Sequence, residues 1–183
     1  MQETRRVRMT KKLIKEAYIE LLSTNPDKRL SITDICNCAD INRSTFYMHY
    51  EDVQCLIKEI EDDLISQIPT IAGSESISND KEFINLLEKT FDYVKANNSA
   101  FTALLVRLDS NKFKERLTSS VLDKYKNLPI NKDSILSKYG YFYCINGVIG
   151  LLKEWINDNF PITSRDLAEL TLRMSMGATN INK

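Results

Sequence analysis

The sequence predicts an all-α protein of about nine helices. Only five Gly and four Pro interrupt 183 residues, and Leu, Ile, Lys and Glu are plentiful, so few positions break a helix. Apolar residues recur three and four apart, the spacing that puts them on one helical face. At 43% hydrophobic and 27% charged, the composition is that of an ordinary globular protein, long enough for one large domain or two small ones. No internal repeat or low-complexity tract is present.

The first helix is expected over Thr10–Ser23, where Leu13, Ile14, Ala17, Tyr18, Leu21 and Leu22 form one stripe. Pro26 in "TNPDKR" then disfavours helix at the residue before it. Ser31 reads as an N-cap with Asp34 completing a capping box, and Ile35 with Cys38/Ala39 gives a short inward face. "ADIN" ends that helix within a few residues. Asn42 caps the next one, with Thr45 at its third position. Phe46 and Tyr50, four apart, turn inward; Ile41 packs across the turn. Arg43, Ser44, Tyr47 and Met48 are left outward.

Residues 31–50 therefore have the pattern of a helix-turn-helix whose second helix presents polar side chains. Arg can bond guanine bidentately, and Ser, Thr, Tyr and His can bond phosphate oxygens. The plainer alternative is a helical hairpin with a solvated polar face. Net charge is zero, but its distribution favours the first reading: Arg5, Arg6, Arg8, Lys11, Lys12 and Lys15 face the single acid Glu3 at the N-terminus. Such a segment is either a solvated, frayed end or a basic arm that meets phosphates.

A further amphipathic helix is expected over 51–68, closed by Pro69, and "TIAGSESISND" reads as a linker loop. Helices follow over Asp80–Ala96, from a Ser99 cap onward, over about 111–127, over Ser134–Asn157, and from about Ser164 to Met176. A boundary between residues 1–55 and 56–183 is expected inside the helix over 51–68 and not in that linker loop.

Gly140, Cys144, Gly147 and Gly150 set small residues on neighbouring turns of the long helix. Each Gly costs about 1 kcal/mol against Ala in a helix interior. Close approach of another helix would compensate, either within one subunit or, as favoured here, at a homodimer seam formed with the last helix. Phe91, Phe101, Leu105, Tyr125, Tyr139, Tyr143 and Trp155 are the candidate lining of a ligand pocket; few charges share those faces, which suits a small apolar or aromatic effector. Arg107 is a candidate polar handle.

Other classes are poorly supported. The N-terminus has no apolar signal core, and Tyr139–Leu152 is too short to span a bilayer, so a cytoplasmic protein without membrane partners is expected. Cys36 and Cys38 point to opposite sides of a helix and lack zinc-spaced partners; Cys36 reads as core. The sole His, His49, lies inside the helix-turn-helix. No phosphate loop, nucleophile elbow or metal cluster appears, so neither catalysis, a cofactor nor a metal is expected.

The first sixty or so residues resemble the DNA-binding domain of TetR-family transcriptional regulators. The resemblance rests on "TKKLIKEAYIELLS", a loop, and "LSITDICNCADINRSTFYMHYEDVQCLIKEI", most specifically on Thr45-Phe46-Tyr47-x-His49-Tyr50 followed by an acidic turn and an apolar helix from Val53. It implies that Ser44, Thr45, Tyr47 and His49 touch an operator, with Arg43 the base reader, Arg8 and Lys11 on backbone phosphate, and the cap Ser31 among the DNA-facing residues. Two positions depart from the family pattern: the turn carries Asp40 in place of Gly, and the connecting helix starts with Val53 in place of a phosphate-gripping Lys. "NGVIGLLKEWI" and the Pro-containing loop after it are similar to a subgroup that includes regulators of dihydroxyacetone kinase operons. The family implies a homodimeric, ligand-responsive repressor of a near-palindromic operator in double-stranded DNA. The alternative is a coregulator of the same fold whose C-terminal domain binds a partner protein.

Overall fold

The computed structural model describes residues 4–25, 29–68, 79–108, 111–125 and 135–179. Among them the secondary structure is helical throughout: α1 (Arg5–Thr24), α2 (Ile32–Cys38), α3 (Arg43–Tyr47), α4 (Val53–Gln67), α5 (Asp80–Ala96), α6 (Asn98–Phe101), α7 (Asn111–Tyr125), α8 (Ile135–Asn157) and α9 (Ser164–Thr179), with a π-helical turn over Thr102–Arg107 between α6 and α7. The "TNPDKR" break and the expected linker fall largely outside the described residues.

α1 begins at Arg5, five residues before the expected start at Thr10. Thr4 caps it by accepting a bond from the Val7 N–H (3.4 Å), and Arg5, Arg6 and Arg8 are good helix formers. Arg5, Arg6 and Arg8 thus lie in the first turn of a helix and not in a frayed end. α1 buries Ile14, Ala17, Tyr18 and Leu22 against α2 and against the α6–π segment.

α5 matches its expected bounds, with Asn79 as cap (Glu82 N to Asn79 Oδ1, 3.0 Å). It packs along most of α9. Arg165 fastens this pair, bonding Asn85 and Glu88 (both 2.9 Å) across the seam and Glu169 (3.0 Å) on its own helix. Ser99 is not the cap expected of it. It lies inside α6 and donates to Asn98 Oδ1 (3.1 Å), while Asn97 precedes the helix without a side-chain cap bond. α6 runs directly into the π turn, whose wider winding ends with the Leu108 N–H on the Ala103 carbonyl (2.9 Å).

α8 ends in a left-handed turn. Asn159 has φ 57°; its N–H bonds Ile156 O, and that of Phe160 bonds Trp155 O, the pairing of a Schellman motif. Its apolar contact is the Trp155–Phe160 ring pair, with centroids 4.8 Å apart. Thr163 and Asp166 then cap α9 reciprocally. One continuous apolar cluster runs from Ile14 of α1 to Ala168 of α9, so the N-terminal helices and the later helices share a core.

Candidate nucleic-acid interface

The helix-turn-helix is built from local hydrogen bonds. Ser31 Oγ accepts from the Asp34 N–H (3.2 Å) and the Asp34 carboxylate accepts from the Ser31 N–H (2.9 Å), closing the expected capping box. At the other end of α2, Asp40 has φ 51°. The Ile41 N–H bonds Cys36 O (3.0 Å) and the Asp40 N–H bonds Asn37 O (3.4 Å). This is a second Schellman turn, with an Asp carrying the left-handed residue that Gly usually supplies. Ile41 lies half-buried against the core beside buried Cys36, as its place in that motif requires.

Asn42 starts α3. Its Oδ1 accepts from the Thr45 N–H (2.9 Å) and from the hydroxyls of Ser44 (2.6 Å) and Thr45 (2.9 Å). Phe46 and Tyr50 are buried, with rings 5.7 Å apart. That anchor leaves Arg43, Ser44, Tyr47 and Met48 exposed on the opposite side, with Thr45 and His49 half-buried at its edge. Ser31 lies exposed at the α2 start. α4 follows with Asp52 as cap, accepting from the Cys55 N–H (2.8 Å); that bond holds the Asp52 carboxyl below its ordinary range.

Lys12 pairs with Glu16 on its own helix (3.7 Å), and the other N-terminal cations divide into two sets. Arg5, Arg6 and Arg8 are exposed and make no ion pair among the described residues; the same holds for Arg43. Lys11 and Lys15 point inward. Lys11 meets Glu59 (3.2 Å) and lies over the Tyr50 ring (5.8 Å to its centroid). Lys15 meets Glu59 (2.8 Å) and Asp63. Burial alone would lower the Lys15 pKa; its hydrogen bonds to Asp63 and Glu59 and their charges raise it. In this chain the Lys11 ammonium, expected on backbone phosphate, ties α1 to α4.

Sequence reasoning missed the next feature. Glu61 of α4 is 2% exposed, and Arg116 of α7 grips both Glu61 and Asp62. Tyr18 of α1 adjoins the same carboxylate. Burial pushes its phenol up to about 12, and the Glu61 charge adds to the rise. Glu61 thus joins α1, α4 and α7. A signal was present, because Glu61 stands three residues before Leu64 and four after Ile57, within the apolar stripe of α4. Its partner, 55 residues away, carries no local signal.

The seven candidate pocket residues do not form one lining. Phe91, Phe101, Leu105 and Trp155 are buried, with Phe91 and Trp155 rings 6.1 Å apart. Tyr139 and Tyr143 are 65% and 69% exposed and share an open face of α8 with Phe142 at 54%. The Tyr125 side chain lies outside the described residues. Arg107 is exposed.

Gly147 and Gly150 occupy that open face: a Cβ at either would meet nothing within 4 Å. Packing inside one subunit therefore does not account for these two small residues. Cys144 is half-buried beside them, and Gly140 lies one turn before. A shallow groove of about 250 Å³ runs between α8 and α9, lined by Tyr143, Cys144, Gly147, Gly150, Leu151 and Met174 among others. Cys36, Cys38, Cys55 and Cys144 are free thiols, Cys36 buried. Among the described residues no helix is long and apolar enough to cross a membrane, and no group of three or more His, Cys, Asp or Glu is placed to hold a metal.

A family model described as "Transcriptional regulator C-terminal region" matches residues 81–177, more than half of the chain. Among solved structures, a TetR transcriptional regulator from Streptococcus agalactiae 2603V is 25% identical, with a TM-score of 0.68 over 93% of this chain and 96% of that one. The dihydroxyacetone kinase operon activator DhaS is 19% identical, with a TM-score of 0.59 over 94% of this chain and 97% of that one. NalD, the secondary repressor of the MexAB-OprM multidrug efflux pump in Pseudomonas aeruginosa, is 15% identical, with a TM-score of 0.68 over 96% and 98%. The last two share the fold. No curated protein matches the sequence. The matched C-terminal region, the helix-turn-helix and end-to-end coverage agree: the chain belongs to the TetR family of transcriptional regulators.

Proposed function

We propose that this DNA-binding regulator acts as a homodimeric, effector-responsive repressor of a near-palindromic operator. Residues 1–55 would be the reading head and 56–183 the regulatory and dimerisation region. The observation that carries this reading is the outward row of α3, Arg43, Ser44 and Tyr47, held away from the core by buried Phe46 and Tyr50. In the major groove Arg43 would bond guanine bidentately, while Tyr47, His49, Ser44 and Thr45 bond bases or phosphates. Ser44 and Thr45 now donate to Asn42, so each would exchange that bond for a phosphate oxygen. Arg8 would meet backbone phosphate beside Arg5 and Arg6, and Ser31 would stand near the strand. Arginines in the first turn of α1 oppose the helix dipole; an anion bound there offsets that cost.

The open α8 face supports the dimer. Tyr139, Phe142, Tyr143, Gly147 and Gly150 recur at helical spacing, and Met174 and Met176 of α9 are exposed nearby. Pairing α8 and α9 with their symmetry mates would cover this apolar strip and use the room the glycines leave. An apolar or aromatic effector would act among Phe91, Phe101, Leu105 and Trp155. It would have to bind the two conformations of the head unequally. NalD is a repressor and DhaS an activator, so the sign of regulation needs its own test.

The test is selection of preferred duplexes from random DNA, with a reporter assay on the promoters that carry them. The expected result is a near-palindrome with half-sites about one helical turn apart, near 34 Å, and higher reporter output when the gene is deleted. Absence of any preferred sequence overturns the reading. A monomer in solution whose α8 face stays open would favour the partner-protein alternative.

A further inference from the structure

We propose that Met48 is a specificity-determining residue, reading the C5-methyl group of one thymine in each half-site. The inference rests on the proposed docking of α3 in the major groove. Met48 is 79% exposed, the most exposed large apolar residue among those described. Its backbone is fixed as the C-cap of α3, with its N–H on Ser44 O (3.1 Å). It stands next to Tyr47, itself 50% exposed, and four residues after Ser44. The two side chains form an apolar tip on the face that carries Arg43 and Ser44, opposite buried Phe46 and Tyr50.

The chemistry of a thioether narrows what that tip can recognise. Met has no donor and only a weak sulfur acceptor, so it cannot neutralise phosphate or read a donor–acceptor pattern. Of the groups on base edges in the major groove, the thymine C5-methyl is the apolar one. A flexible, polarisable side chain can cover that methyl without a strict approach angle. Arg43 at the start of α3 and Met48 at its end would then read different positions of one half-site, a guanine and a thymine.

The experiment uses the full chain and the duplex selected by the wild-type protein. Each thymine is replaced in turn by deoxyuridine, which removes only the methyl group. Affinities are measured at one salt concentration for wild type, Met48→Ala and Met48→Leu. The expected result is one thymine per half-site whose replacement weakens wild type about fourfold, the worth of one buried methyl. Met48→Ala should bind the thymine duplex about as weakly as wild type binds a duplex with that thymine replaced in both half-sites, and be indifferent to the replacement, while Met48→Leu regains most of the discrimination. Circular dichroism should match wild type for both variants, since the side chain is largely in water. Met48→Ala with full affinity, or with undiminished sensitivity to every thymine replacement, overturns the proposal while leaving DNA binding intact. Failure to select any duplex overturns it together with the reading on which it rests.

Discussion

At the scale of single residues, the left-handed position between α2 and α3 sets how the reading helix leaves its support. Asp40 holds φ 51° there, a conformation costing most L-residues about 1–2 kcal/mol, and Asp less than most. A β-branched replacement meets the full cost. Asp40→Val should lower stability by roughly 1–2 kcal/mol, and Asp40→Gly should not lower it; chemical denaturation of the three proteins checks the order. Tyr18 makes a second prediction. Its folded-state pKa of about 12 exceeds the ordinary 10.0, so the unfolded chain loses this proton first as pH rises. The stabilising contribution is complete below pH 10 and lost toward pH 12. Melting temperature should fall across that window, and Tyr18→Phe should fall less steeply.

At the scale of elements, the α4 helix is held by charge on two sides. Lys11 and Lys15 bind its Glu59 and Asp63 from α1, and Arg116 binds Glu61 and Asp62 from α7. Glu61 is buried, so removing its partner leaves an uncompensated charge. Arg116→Met should cost roughly 3 kcal/mol. Adding Glu61→Gln to it should recover most of that loss, a coupling that a double-mutant cycle in denaturant measures. Equal, additive losses would show that the two side chains do not depend on each other. The same clasp couples α7 to α4, because any shift of α7 moves the counter-charge of a buried carboxylate.

These elements were unequally legible in the sequence. Ser31, Asp34, Asn42 and Thr45 are cap residues whose bonds close within three positions, so their pattern is readable without tertiary knowledge. The bounds of α5 follow from its stripe and Asn79. α1 starts before its expected bound because the apolar stripe begins later than the helix, and Thr4 with three arginines extends it. The π turn left no periodic trace in six residues. The Lys11–Glu59 and Arg116–Glu61 contacts join positions 48 and 55 apart, where periodicity carries no information. For the same reason the exposure of Tyr139 and Tyr143 could not be told from burial: α8 is apolar on most sides, and only packing shows which side stays open.

At the scale of the whole molecule, the open side of α8 carries Tyr139, Phe142 and Tyr143 in water, and in the proposed dimer a second copy would cover it. The space around Gly147 and Gly150 separates the two levels cleanly. A side chain at Gly147 fits the single chain and should raise the helix propensity of α8 by a few tenths of a kcal/mol or more. Gly147→Leu should therefore keep its helical signal while shifting sedimentation from dimer to monomer at micromolar concentration. A variant that sediments as wild type places the seam elsewhere. Loss of the dimer should also weaken operator binding strongly, because two reading helices on one symmetric site act as linked ligands.

The central claim is that α3 reads DNA while the arginines of α1 hold its phosphates. It is tested most directly by the salt dependence of binding to the selected operator, for wild type and for Arg43→Ala/Tyr47→Ala. Log affinity of the wild type should fall linearly with log salt, as released counterions require. The double variant should lose at least tenfold in operator affinity, with weak non-specific binding retained. Equal operator affinity for the two proteins would contradict the account, and α3 would then not be the reading helix.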